Sequence, residues 1–174
     1  HANGSVNPST AKCISCAAEL PDIIVEVVVF SDDGAPVAAQ IAAMQSVDKV
    51  ICVDNEANAN LLAAVIAPQV VALAADYSHI FGPSTTFGKD LMPRIAALLG
   101  VNQLSDIMEV LDSHSFKRPT YAGNVIVTCE VPSDKPVVAT VRTASYKAVE
   151  GGGNAVVDSA SPSTDLPEHT RFIE

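Results

Sequence analysis

Apolar residues in the first hundred positions fall into short continuous runs, separated by Ala-rich stretches. The runs at residues 23–30 and 49–53 have the length of strands and are apolar almost throughout, as are strands buried on both faces of a parallel sheet. Helices are predicted from an Asn7-Pro8 start to about residue 20, over residues 36–44, and over residues 56–75, where Pro68 is expected to kink or split the helix. This alternation predicts a doubly wound α/β sheet.

Residues 77–100 predict a short buried strand, a tight polar turn and an amphipathic helix that ends at Gly100. Such a unit places backbone N–H groups at a helix N-terminus, where α/β proteins hold anions and nucleotides. The candidate anion ligands are the hydroxyl groups of Ser84, Thr85 and Thr86 and the ammonium group of Lys89. A nucleotide-binding module that uses this helix start is therefore one hypothesis for the function.

The spacing of this turn excludes a phosphate loop of the Walker type. That motif has four residues between its glycines and a Ser or Thr after its lysine. Here five residues separate Gly82 from Gly88, and Asp90 follows Lys89. Two interpretations of the hydroxyl groups stay open: they cap the helix, which cap preferences favour, or they form a vestigial anion site with Lys89.

From residue 103 onward the apolar runs become shorter and are separated by Gly, Pro, Asn, Asp and Ser. Four of them predict antiparallel strands, added to one edge of the parallel core or folded beside it: residues 105–111, 116–121, 125–131 and 137–143. Gly151-Gly152-Gly153 is expected to be a flexible turn with no phosphate-binding context. Residues 159–174, which are rich in Ser, Pro and acidic side chains, are expected to form a linker.

Together these elements predict a three-layer, doubly wound α/β domain over residues 1–158, with a mainly parallel sheet and additional antiparallel strands. The order of elements begins with a helix, although a βα alternation opens with a strand. The pattern therefore predicts that an apolar strand preceded His1 and that the chain is a fragment.

Charge and hydropathy argue against two functional classes, nucleic-acid binding and membrane insertion. The formal net charge of −10 argues against nucleic acid as a partner, because phosphate binding needs clustered Lys and Arg side chains. No apolar run reaches the length of a bilayer-spanning helix, so membrane insertion is not expected.

The sequence contains only weak candidates for a catalytic or metal-binding site. Cys13 and Cys16 form a CxxC pair, but both fall inside the first predicted helix, where they are expected to pack as small hydrophobic residues. The four histidines share no metal-ligand spacing, and residues 112–115 are too close in sequence to form a catalytic triad. We expect no catalytic residue and no metal site, and we predict ion-pair or interface contacts for Arg118 and Arg142.

One resemblance to a known family is carried by residues 71–94, 105–107, 118–124 and 140–143. Its most specific part reads DYSHIFGPSTTFGKDLMPRIAALLGVNQLSDI, and the similarity extends over nearly the whole chain. Together these segments resemble the electron transfer flavoprotein alpha subunit.

The resemblance implies an N-terminal domain with an adenine nucleotide alpha hydrolase-like fold. The implied parent is a heterodimeric electron carrier that passes electrons from acyl-CoA and other dehydrogenases, as in fatty acid beta-oxidation, through a quinone oxidoreductase to the respiratory chain. FAD would be held mainly by a C-terminal domain whose motifs do not occur in this sequence, so no FAD ligand is expected here. The implied partner is the beta subunit, for which this domain would provide docking and support. The implied location is the mitochondrial matrix in a eukaryote or the cytoplasm in a bacterium.

Overall fold

The computed structural model describes residues 4–162 and 164–173, so His1, and Ser163 and Glu174 of the predicted linker, lie outside the described part. The α-helices in this part are α1 (Pro8–Ala17), α2 (Ala35–Ala42), α3 (Ala63–Leu73) and α4 (Thr86–Leu99). The strands are β1 (Glu26–Ser31), β2 (Lys49–Asp54), β3 (His79–Pro83), β4 (Gln103–Ile107), β5 (Glu109–Val110), β6 (Ser115–Thr120), β7 (Val125–Glu130), β8 (Val137–Val141) and β9 (Val156–Ser159).

The described strands form three sheets of three strands each. Two sheets are parallel, with the orders β1-β2-β9 and β3-β8-β4. The third sheet, β5-β6-β7, is antiparallel. The predicted fold class, α/β with mainly parallel strands and additional antiparallel ones, is therefore confirmed.

Two of the runs predicted to be antiparallel contribute instead to the parallel part. β8 pairs in parallel with β3 on one side and with β4 on the other, and all five of its residues are buried. A run as apolar as this one suits a strand that is covered on both faces. The prediction was wrong for residues 137–143 and for the first half of 105–111, because a short run does not specify the direction of its neighbours.

Helices cover both faces of the parallel strands. On one face, α1 places Ile14 in a buried cluster with residues of β1, β2 and α2, and Cys16 in a second cluster with residues of β4, β6 and β8. On the other face, α3 and α4 pack against Ile51 of β2 and Val138 of β8. The same helices thus span both parallel sheets, which are two halves of one layer.

The third predicted helix begins later than expected. Asn55 caps a single 3₁₀ turn over Glu56–Asn58 with its side chain, and Leu61 has a positive φ of 48°, which a continuous helix cannot contain. As a result α3 starts at Ala63, and it runs through Pro68 without splitting. The predicted start at residue 56 is wrong because this loop conformation interrupts the helix.

The Gly-rich turn that was expected to be flexible is tied to the end of α2. Gly152 and Gly153 donate backbone hydrogen bonds to the Ala43 carbonyl oxygen at 2.9 and 3.0 Å, and a Cβ at Gly153 would overlap the Met44 carbonyl oxygen. The turn therefore approaches the helix closely and satisfies a carbonyl group left free where α2 ends. It leads into β9, a strand that the sequence did not predict. A domain boundary at residue 158, just inside this strand, stays a prediction.

Two glycines allow α4 to approach β3 closely. A Cβ at Gly82 in β3 would lie 2.7 Å from the sulfur of Met92 in α4, and a Cβ at Gly88 in α4 would overlap the carbonyl oxygen of Pro83. At Gly88 the obstacle is backbone, so no side chain larger than hydrogen fits without moving the helix. Close packing of helix on strand accounts for Gly82 and Gly88 in the strand–turn–helix segment.

We expect Gly88→Ala to lower the free energy of unfolding by at least about 3 kcal/mol, because the added methyl group forces α4 away from β3. Gly100→Ala is the matched control: nothing lies within 4 Å of an added Cβ there, and only the positive φ of 68° is strained, which costs about 1–2 kcal/mol. Urea denaturation followed by circular dichroism measures both changes. Equal losses in the two variants would contradict the close-packing role.

Candidate functional site

A cavity lies where the carboxyl ends of β3 and β8 meet the first turns of α4. Its volume is about 330 Å³, and its walls are formed by Ser84, Lys89, Pro93, Gln103, Ser105, Asp106 and Thr140. The carboxyl ends of parallel strands are the usual place for ligands in α/β proteins. The cavity brings two of the four predicted anion ligands, Ser84 and Lys89, together with residues that are distant in sequence.

A bulge in β4 shapes one wall of the cavity. The pairing of β4 with β8 shifts register between Leu104 and Ile107, and Asp106 within this bulge has a positive φ of 63°. The backbone N–H of Asp106 donates to Oγ1 of the buried Thr140 at 2.8 Å, in place of a ladder hydrogen bond. Bulges commonly turn side chains away from the regular pleat, and here Ser105 and Asp106 face the cavity.

The two arginines singled out in the sequence both lie beside this bulge. Arg118 Nε donates to the carbonyl oxygen of Ser105 at 2.7 Å. Arg142 Nε lies 4.0 Å from Asp106 Oδ2, and more than a third of each side chain is exposed. An ion pair of that length and exposure contributes little stability. Arg142 thus makes the kind of contact that was predicted, whereas the hydrogen bond of Arg118 goes to backbone.

Two polar atoms in the cavity wall lack partners. Ser84 Oγ and Gln103 Oε1 are buried and make no hydrogen bond to any described residue. The amide nitrogen of Gln103 is engaged, since Nε2 donates to Ser105 Oγ at 3.0 Å. Buried polar atoms in folded proteins are usually hydrogen-bonded. A water molecule or a small polar ligand in the cavity would supply the missing partners.

The four predicted anion ligands have different surroundings. Thr85 is the N-cap of α4, with its Oγ1 accepting a long hydrogen bond of 3.4 Å from the Gly88 N–H. Ser84 and Lys89 line the cavity, while Thr86 is the first residue of the helix and is exposed. Thr85 therefore caps the helix. Of the four predicted anion ligands, only Ser84 and Lys89 are in the cavity wall.

The charges of the cavity do not favour a large anion. Lys89 is an exposed cation, and the carboxylate of Asp106 shares the same cavity. A volume of about 330 Å³ is at the lower end of the range for ligand pockets. Among the described residues, no aromatic side chain lines the cavity to stack on a ring. The residues present do not fit a dinucleotide such as FAD, but they suit water or a small polar group.

The cysteines have the environment of core residues. Cys13 and Cys16 lie inside α1, as predicted, and burial raises the pKa of each thiol to about 12. Burial also raises the pKa of Cys52 to about 11. A reactive cysteine needs a lowered pKa, so the CxxC pair lacks the property on which redox chemistry depends. The fourth cysteine, Cys129, lies half-buried on β7.

The remaining polar candidates have structural contacts. His79 Nε2 lies 2.7 Å from the carbonyl oxygen of Ser113, and burial lowers the pKa of its imidazole. Asp112 accepts a hydrogen bond from the backbone N–H of His114 at 2.8 Å, an Asx-type turn contact. Within residues 4–162 and 164–173, no group of three or more His, Cys, Asp or Glu side chains is arranged to hold a metal ion. No helix in that part is long and apolar enough to cross a membrane.

Sequence reasoning did not single out Gln103, Asp106 and Thr140 as lining residues. Thr140 approaches Ser84 through the pairing of β8 with β3, and Gln103 and Asp106 through the pairing of β4 with β8; no local pattern specifies either pairing. The signal that could have pointed to these positions was the resemblance to a known family, because residues 105–107 and 140–143 are among the segments that carry it.

Comparison with known proteins assigns this chain to a protein family. The family model of the electron transfer flavoprotein domain matches residues 1–165, and the chain therefore belongs to this family. Within the family, the chain is similar to alpha subunits. It is 39% identical over 166 residues to the electron transfer flavoprotein subunit alpha of Pseudomonas aeruginosa, a match that covers 95% of this chain and 53% of that protein.

Two further relatives have the same description. The mitochondrial alpha subunit of Dictyostelium discoideum is 40% identical over 169 residues, covering 92% of this chain and 47% of that protein. The alpha subunit of Paracoccus denitrificans is 40% identical over 165 residues, covering 94% and 52% respectively. The chain thus spans about half the length of the curated relatives it matches.

We expect Thr85→Ala to lower the free energy of unfolding by about 1 kcal/mol, because the Gly88 N–H loses its side-chain cap. Thr86→Ala is the matched control, with the same chemical change at an exposed position one residue later, and it should alter stability by less than about 0.5 kcal/mol. Thermal and urea unfolding of the two variants distinguish these values. Equal effects would contradict the assignment of Thr85 as the cap.

Proposed function

We propose that this domain serves an electron transfer flavoprotein alpha subunit as its docking and support domain, in a heterodimer with the beta subunit. The heterodimer would carry electrons from acyl-CoA and other dehydrogenases to a quinone oxidoreductase, with FAD bound mainly by residues outside this chain. The domain itself would have no catalytic role. The family membership supports this proposal, and so does the poor fit of the cavity to a dinucleotide. The parent subunit would act in the mitochondrial matrix of a eukaryote or the cytoplasm of a bacterium.

The observation that carries the docking proposal is the exposed apolar surface of the antiparallel sheet. We define the β7 surface as Tyr121, Val125, Ile126 and Val127. Ile126 is 48% exposed and Tyr121 is 79% exposed. In β7, consecutive residues are exposed although they point to opposite faces of the sheet, so the described residues cover neither face of this strand closely. β7 is also an edge strand, because it pairs only with β6 among the described strands.

Exposed clusters of large apolar side chains in folded domains commonly mark interaction surfaces. An uncovered edge strand is also a hazard, since its free backbone groups can pair with other chains. Contact with a partner subunit would cover the apolar side chains and the edge together. The β7 edge, from which the residues of the β7 surface project on both sides of the sheet, is therefore the best candidate in the described residues for the part of the domain that meets the beta subunit.

Ile126→Lys in the alpha subunit that contains this chain is expected to weaken binding of the beta subunit by about tenfold or more, because a charge replaces a large apolar contact. Leu98→Lys is the matched control: Leu98 is also exposed, at 53%, but lies near the end of α4. Titration calorimetry with purified beta subunit gives both dissociation constants. Unchanged affinity for Ile126→Lys, or an equal loss for Leu98→Lys, would remove the β7 surface from the interface.

A second candidate function is binding of a nucleotide or small anion at the Ser84–Lys89 turn. The unpartnered Ser84 Oγ favours it, because this hydroxyl could donate a hydrogen bond to an anion. The Asp106 carboxylate opposes it, because this group would repel a phosphate placed beside Lys89. The docking proposal requires no such ligand.

Titration of the chain with AMP and with ATP separates the two functions. We expect no saturable binding tighter than about 1 mM, because one exposed lysine next to a carboxylate gives little affinity for phosphate. The matched control for Lys89→Ala is Lys117→Ala, which removes a half-buried lysine paired with Glu109 on the antiparallel sheet. Tight one-to-one binding that Lys89→Ala abolishes and Lys117→Ala preserves would establish the second function.

A further inference from the structure

The tip of the β6–β7 hairpin is a left-handed turn. Tyr121, Ala122 and Gly123 have positive φ angles of 49°, 55° and 91°. Ala122 and Gly123 occupy the central positions of a type I′ turn, which is closed by a 3.1 Å hydrogen bond from the Asn124 N–H to the Tyr121 carbonyl oxygen. Glycine adopts positive φ freely, whereas the Cβ atoms of tyrosine and alanine crowd the backbone there. The turn therefore stores backbone strain at two successive residues.

The hairpin itself maintains this strained conformation. β6 and β7 pair in register as far as Thr120 and Val125, so residues 121–124 have to connect those two positions. The carbonyl oxygen of Tyr121 also accepts a second hydrogen bond, from Asn124 Nδ2 at 2.9 Å. The backbone that carries the Tyr121 side chain is thus fixed by the strands and by Asn124 before any partner binds.

The side chain of Tyr121 packs little against the domain. It is 79% exposed, the highest value for a large hydrophobic side chain in the described residues. Strained backbone persists only where the surrounding structure enforces it, and it is concentrated at sites that bind other molecules. A rigid, strained turn that presents an aromatic ring to solvent therefore indicates contact with another molecule.

We propose that Tyr121 is the anchor residue of the β7 surface, and that its ring enters an apolar pocket of the beta subunit. This inference rests on the proposed docking function and adds to it which side chain dominates the affinity. Tyrosine is enriched at such positions, because it supplies a large rigid contact area with only two side-chain torsions. Its hydroxyl group needs a hydrogen-bond partner when buried, so the pocket would have a polar group or a water molecule at its far end.

The turn accounts for how one exposed side chain can contribute most of the affinity. A side chain whose backbone is already fixed loses less conformational entropy on binding than one on a mobile loop. Val125, Ile126 and Val127 lie next to the tip and are exposed as well. They would surround the inserted ring and exclude water from it, as the near-neutral contacts around an anchor residue do.

Truncation of the ring tests the anchor role. In the alpha subunit that contains this chain, Tyr121→Ala is expected to weaken binding of the beta subunit by about thirtyfold or more. The backbone strain stays, because alanine also carries a Cβ. Tyr121→Phe keeps the ring and should weaken binding by less than about fivefold. Phe87→Ala is the matched control: it removes an aromatic ring that is 41% exposed on α4, and it should change the affinity by less than about twofold. Titration calorimetry gives the four dissociation constants.

A second pair of variants tests the turn. Ala122→Pro fixes φ at about −65° and so forbids the left-handed turn, and it is expected to weaken binding by about tenfold or more. Ala122→Asn tolerates positive φ and relieves the strain. It should keep the native affinity within about twofold and raise the urea midpoint of unfolding. Native affinity in Ala122→Pro would show that the turn does not hold Tyr121 for binding.

Three results would overturn the anchor role. One is that Tyr121→Ala binds within about twofold of the native affinity while Ile126→Lys binds weakly, which leaves the docking proposal intact. Another is an equal loss in Tyr121→Ala and Phe87→Ala. The third is self-association of the alpha subunit, measured by sedimentation, that Tyr121→Ala abolishes without weakening the heterodimer, since this would assign Tyr121 to a second copy. Native affinity in both Tyr121→Ala and Ile126→Lys would overturn the docking proposal as well.

Discussion

Side-chain packing by helices, and not hydrogen bonding between strands, holds the two parallel half-sheets in one layer. α1 contributes to buried clusters on both halves, and so do α3 and α4 on the opposite face. The cavity exists because α4 is held over the carboxyl ends of β3 and β8. The antiparallel sheet depends on the same packing, since Phe116 of β6 is buried in the cluster that includes Cys16 of α1.

The strand–turn–helix segment has the shape of an anion site, but most of its distinctive residues have structural roles. Gly82 and Gly88 permit close packing, and Thr85 caps the helix. The bulge in β4 then places the Asp106 carboxylate in the same cavity as Lys89. The electrostatic character of the cavity thus depends on a strand that is distant in sequence from the turn.

Features with local causes were predictable from the sequence. The start of α1 follows from the Asn7 cap and the end of α4 from the left-handed Gly100, because each depends on one residue's own conformational preference. The position of β8 was not predictable, since a strand's neighbours are set by the whole layer. β9 was missed because its two valines sit among Asn, Asp and Ser residues, and its pairing with β2 supplies what its own pattern lacks. The residues of the cavity wall were not predicted for the same reason, because strand pairing brings them together.

The cysteine environments have a practical consequence. Thiol-directed dyes react with thiolates, and burial keeps the thiols of Cys13, Cys16 and Cys52 protonated at neutral pH because it raises their pKa values. Cys129 lies on β7, two residues from Val127 of the β7 surface. A fluorophore attached at the half-buried Cys129 would sit next to the proposed interface and would report association with a partner there.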